Sequence, residues 1–181
     1  MRYVKFARAG DRRALRRVVA RGRIAPMRGT EDCSRKKPMN RRILVVNHDA
    51  NSLELISFVL APPSFSRQGH EPFDVVGATS GEEAIAAVKA SLTEHLPFAG
   101  AFVEMGLNPG LTGPETLIRL RNLDAELILV ALTPGHAAAS VGWDLLAKPF
   151  AETELLQKAN QIVTRWEIQR RDRTPSQRRA K

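Results

Sequence analysis

The sequence predicts an α/β fold: a five-stranded parallel sheet with helices packed on both of its faces. Three observations predict it. Aliphatic runs such as Ile43-Leu44-Val45-Val46 carry no polar alternation, as strands buried on both faces require. These runs alternate with segments of helical periodicity, the arrangement that produces parallel sheets with right-handed crossovers. Chemically capable side chains also fall at the ends of the runs, at Asn47-His48-Asp49, Glu104, Thr133 and Lys148. Parallel sheets collect their functional groups there.

The elements follow in order. After the first strand, 43–46, Asp49 or Asn51 can cap a helix carrying Leu53, Ile56 and Leu60. That helix must end before Pro62-Pro63. A turn-rich loop, 61–72, leads to a second strand, 73–78. Ser80-Gly81-Glu82-Glu83 has the S-x-x-E form of a capping box and opens an Ala-rich helix. The third strand, 99–103, ends at Glu104, and a Gly-rich loop, 106–113, leads into a helix through Leu117 and Leu120. That loop lacks both G-x-x-x-x-G-K-[ST] and G-x-G-x-x-G, so turn geometry explains its glycines better than phosphate cradling. The fourth strand, 127–132, is followed by Thr133-Pro134-Gly135 and an Ala-rich turn that puts His136 at the surface. A weaker fifth strand, 143–147, precedes Lys148-Pro149-Phe150. A last helix runs from about 152 to 166 or beyond, and Trp143 and Trp166 read as packing residues.

Charge divides the 181 residues further. The formal net charge is +9, but residues 1–42 carry +12, residues 165–181 carry +5, and the segment between them carries −8. The expected organisation is a basic, disordered N-terminal extension over 1–40, a folded domain over 41–166, and a basic C-terminal tail over 167–181. Within the extension, residues 12–20 have helical periodicity but too little apolar face to hold a helix alone. A chain beginning at Met39 would carry −1, so the basicity depends on where translation starts. The single cysteine, Cys33, excludes an internal disulfide and fits a reducing cytoplasm. No apolar run is long enough for a membrane span, so no membrane partner is expected.

Over roughly residues 41–166 the sequence resembles the receiver domain of bacterial response regulators. R-I-L-V-V-N-H-D-A-N-S-L-E-L-I matches its first strand and helix, A-L-T-P its fourth-strand hydroxyl, and G-W-D-L-L-A-K-P-F its last strand and lysine loop. The resemblance implies a flavodoxin-like, doubly wound sheet of order 2-1-3-4-5. It places the phosphoacceptor position at Glu104 and the acidic metal pocket at Asn47, His48 and Asp49. It places the phosphate contacts at Thr133 and Lys148, and the aromatic switch at Leu145.

The centre departs from that pattern. The phosphoacceptor is glutamate rather than aspartate, the acidic pair is Asn47 and His48, and the switch has no aromatic ring. A hard magnesium ion needs oxygen ligands in near-octahedral array, so Mg2+ binding is expected to be weak or absent and no cofactor is expected. The reading is a stand-alone pseudo-receiver, not an enzyme, acting in two-component signalling through phosphorylation-independent contacts. Its expected partners are a histidine kinase, regulator or output protein, or a second copy of the chain. The family commonly uses the face around the fourth strand and the last helix for such contacts. Glu104 either mimics a phosphorylated aspartate by reaching Lys148 and Thr133 or pairs with Lys148 structurally. The alternatives are a nucleic-acid-associated protein with basic tails on a receiver-like scaffold, and a receiver that keeps weak phosphotransfer on a carboxylate.

Overall fold

The computed structural model describes residues 40–61, 72–135 and 143–173. The expectations for the N-terminal extension, for the loop after the first helix, for His136 and its turn, and for 174–181 lie outside the described residues. Among the described residues nine elements follow in chain order: β1 (Arg42–Val46), α1 (Ala50–Leu60), β2 (Asp74–Ala78), α2 (Gly81–Thr93), β3 (Gly100–Glu104), α3 (Gly113–Leu123), β4 (Ile128–Pro134), β5 (Asp144–Lys148) and α4 (Glu152–Asp172). All four strand pairings are parallel and the sheet order is 2-1-3-4-5, as expected.

Alternation along the strands sets the two layers. Ile43 and Val45 of β1 turn to the face covered by α1 and α4, where Leu53, Ile56, Leu155, Ile162 and Trp166 complete one core. Leu44 and Val46 turn to the opposite face, against Ala84 and Val88 of α2 and Leu117 and Leu120 of α3. The central strands therefore bury both faces, which is why their sequences lack polar alternation.

Several boundaries differ from the sequence reading. β4 continues through Thr133 and Pro134, and β5 is displaced to Asp144–Lys148. The ladder between them runs to Pro134 opposite Lys148, and the Gly135 N–H donates to the Lys148 carbonyl at 3.1 Å. Only half of the expected capping box forms at α2. Ser80 Oγ accepts from the Glu83 N–H at 3.2 Å, but the Glu83 carboxylate accepts from the Thr79 N–H and hydroxyl, each at 2.8 Å. A complete box forms at α3 instead, between Thr112 and Glu115.

The last helix continues into the segment read as tail, to Asp172. Ion pairs and ring contacts hold it. Arg165 pairs with Asp144 at 2.5 Å, Arg173 pairs with Glu126 at 3.1 Å, and Arg170 lies over the Trp166 ring at 4.6 Å. At the other end, Arg41 and Arg42 lie over Phe73 and Phe98, at 4.1 and 4.8 Å from the ring centres. No helix among the described residues is long and apolar enough to cross a membrane.

Candidate functional site

Parallel strands end together, so their last residues share one edge of the sheet. Glu104 is the last residue of β3, Lys148 the last of β5, and Thr133 sits one residue from the end of β4. Asn47 follows β1 directly and extends its ladder, its N–H donating to the Ala78 carbonyl at 3.0 Å. The register therefore brings the residues singled out from sequence to one place.

Three of them touch. Lys148 Nζ forms an ion pair with Glu104 Oε2. The glutamate is 6 % exposed, while one third of the lysine side chain remains accessible. Asn47, 1 % exposed, directs Nδ2 at the same carboxylate oxygen at 3.5 Å, and its Oδ1 accepts from the Asp49 N–H at 3.0 Å. The Gly106 N–H donates to Glu104 Oε1 at 3.4 Å.

The other residues go elsewhere. Thr133 is buried at the edge, but its hydroxyl donates to the Gly135 carbonyl at 3.1 Å, so only one of the two expected phosphate contacts engages Glu104. His48 is exposed. Asp49 is exposed as well and caps α1, accepting from the Ser52 N–H at 2.9 Å and its hydroxyl at 2.6 Å. The Ser52 hydroxyl, then its N–H, hold the Asp49 carboxyl below its ordinary range. Leu145 is half-buried and packs with Trp143 against the α2–α3 core. Among the described residues no three His, Cys, Asp or Glu side chains converge as a metal site.

Sequence reasoning missed how the β3–α3 loop is held. The Leu111 N–H donates to Glu82 Oε1 at 3.0 Å, tying the loop to α2. Beneath that carboxylate Gly110 takes φ +99°, a conformation that favours glycine. Gly113 lies against the end of β3, where an added Cβ would stand 2.5 Å from the Glu104 carbonyl oxygen. The spacing of Glu82 from the loop, 29 residues away, gave no local signal of this contact. On the far side of Lys148, α1 and the β5–α4 turn flank an open groove of about 500 Å3, lined by Ile56, Val59, Pro149, Phe150 and Leu155 among others. Leu55 and Phe58 on α1 project into solvent, 63 % and 60 % exposed.

No protein-family model matches the sequence, and no curated protein matches it. Solved structures do. The chain is similar to a response regulator receiver protein from Sinorhizobium medicae, with 21% identity over 68% of this chain and 94% of that one and a TM-score of 0.54. A CheY-like receiver domain protein from Methanospirillum hungatei matches with 24% identity over 71% and 98%, TM-score 0.56. The receiver domain of NtrX from Brucella abortus matches with 25% identity over 67% and 98%, TM-score 0.53. Against NtrX in complex with ATP the match covers 74% of this chain but only 29% of that one, with 22% identity and a TM-score of 0.58. The first three of these are receiver proteins or domains, two of them of response regulators, and the similarity establishes a shared fold.

Proposed function

We propose that the chain is an atypical, pseudo-receiver signalling module of the two-component type, which acts by contact with a cytoplasmic signalling protein without phosphorylation at Glu104. The receiver fold of its structural neighbours supports the response-regulator-like role. One observation carries the phosphorylation-independent part: the carboxylate at the phosphoacceptor position is already paired with Lys148. Attack by a carboxylate on a phosphoryl group needs a free nucleophile and positive charge to offset repulsion from the donor. Here the ammonium is committed to Glu104, and Asn47 and His48 put no carboxylate beside it to hold a cation against the donor's charge, which supports a role without phosphotransfer.

A histidine kinase, regulator or output protein is the partner class that fits this reading. The side chains of Leu55 and Phe58, left in solvent on α1, support action by contact. Several described arginines, by contrast, are engaged with Phe73, Phe98, Asp144 and Glu126, which does not favour nucleic acid as their target. Incubation with acetyl phosphate and Mg2+ followed by intact-mass measurement tests the proposal. An unchanged mass is expected, and a stoichiometric adduct mapped to Glu104 would overturn it.

A further inference from the structure

We infer that Asn47 makes this centre independent of a metal ion, its carboxamide acting as a fixed hydrogen-bond donor to Glu104 where a receiver-like site would place a cation-binding carboxylate. The inference rests on the functional reading above and adds the residue that allows it. Orientation is the first part of the argument. Oδ1 of Asn47 accepts from the Asp49 N–H at 3.0 Å, which fixes the amide so that only its NH2 end can face Glu104, at 3.5 Å. The side chain is 1 % exposed, so water does not compete for either end.

Charge is the second part. Glu104 meets donors on both oxygens: Lys148 Nζ and Asn47 Nδ2 on Oε2, and the Gly106 N–H on Oε1. One carboxylate, one ammonium and neutral amides leave the buried cluster with no net charge. A magnesium ion requires oxygen ligands in near-octahedral array. The donor set does not fit it, because Asn47 presents hydrogens, the Glu104 oxygen carries an ammonium, and Asp49 is committed to Ser52 at the exposed start of α1. Asparagine at 47 and the Glu104–Lys148 pair therefore form one device. An aspartate at 47 would set two buried carboxylates against each other and restore a demand for a cation.

Thermal unfolding of the full chain, with and without millimolar MgCl2, tests this. The wild type should show no Mg2+-dependent shift. Asn47→Asp should melt about 2–4 °C lower without the metal and regain stability saturably as MgCl2 is added. A saturable shift of the wild type, or an Asn47→Asp protein that melts like wild type without metal, would overturn the inference. Should Asn47→Asp fail to fold, the double variant with Glu104→Gln decides. Folding restored in that background supports the contact with Glu104, and failure persisting there refutes it. A wild-type Mg2+ shift with no phosphodonor adduct rejects this inference alone, whereas an adduct on Glu104 rejects the functional reading.

Discussion

Glu104 and Lys148, 44 residues apart in sequence, meet across β4 although their own strands are not neighbours. The two ends of this pair are unequally buried: the glutamate side chain is 8 % accessible and the lysine 33 %. Removing either partner takes the counter-charge from the other, but only the lysine can recover water. Lys148→Met should therefore cost about 3 kcal/mol, because it strands a buried carboxylate. Glu104→Gln should cost about 1 kcal/mol, since the ammonium turns to solvent. Urea unfolding of both variants checks the order, and equal or reversed costs would show that burial does not control the pair.

Shortening the side chain alone should not create a phosphoacceptor. Glu104→Asp restores the acid type that the receiver resemblance calls for and draws the carboxylate back from Lys148. It leaves Asn47 donating and His48 in solvent, so no cation site accompanies the new aspartate. Incubation with acetyl phosphate and Mg2+ should leave the mass of this variant unchanged. Efficient modification of the single variant would contradict the link drawn between Asn47 and the absence of phosphotransfer.

The strands, the helices and the edge at which Asn47, Glu104, Thr133 and Lys148 gather were all legible in sequence. Each rests on local pattern: aliphatic runs, capping residues and the ends they define. What was not legible depends on contacts between distant segments. The resemblance puts Thr133 with Lys148 in one phosphate site, yet its hydroxyl turns to Gly135, a choice made by the backbone of the β4 end. In sequence Asn47 shows only as a lost carboxylate, whereas its amide is held by Asp49 and aimed at Glu104. The polar stretch past Trp166 gives no apolar pattern from which the reach of α4 can be read. Its ties to Glu126 come from across the fold.

Packing at the end of β3 also constrains the site. An alanine at position 113 would bring its Cβ 2.5 Å from both the Glu104 carbonyl oxygen and the Met105 Cα, backbone atoms that cannot rotate away. Gly113→Ala should lower stability by about 2–3 kcal/mol, as overpacking against fixed atoms does. Gly135 offers the contrast. It takes φ +70°, but an added Cβ would have no neighbour within 4 Å, so Gly135→Ala should cost only the backbone strain, about 1 kcal/mol. Denaturation midpoints of the two variants distinguish steric exclusion from conformational strain.

Acid should weaken the fold through carboxylates that serve helix starts and the loop beside the site. Asp49 is held below its ordinary value of 3.8 by the Ser52 hydroxyl and N–H. Glu115 is held below 4.5 by the Thr112 N–H and hydroxyl, and Glu82 below the same value by its own N–H and that of Leu111. In each case the folded state prefers the charged form, so the unfolded chain binds more protons over this range and stability rises with pH. The contribution is complete above the ordinary values and is lost as pH falls through the depressed ones. Urea unfolding at successive pH values down to about pH 3 should show that loss. Asp49→Asn and Glu115→Gln keep an acceptor oxygen but no longer titrate, so each should flatten the acid slope. A slope unchanged in both variants would place the acid sensitivity elsewhere in the chain.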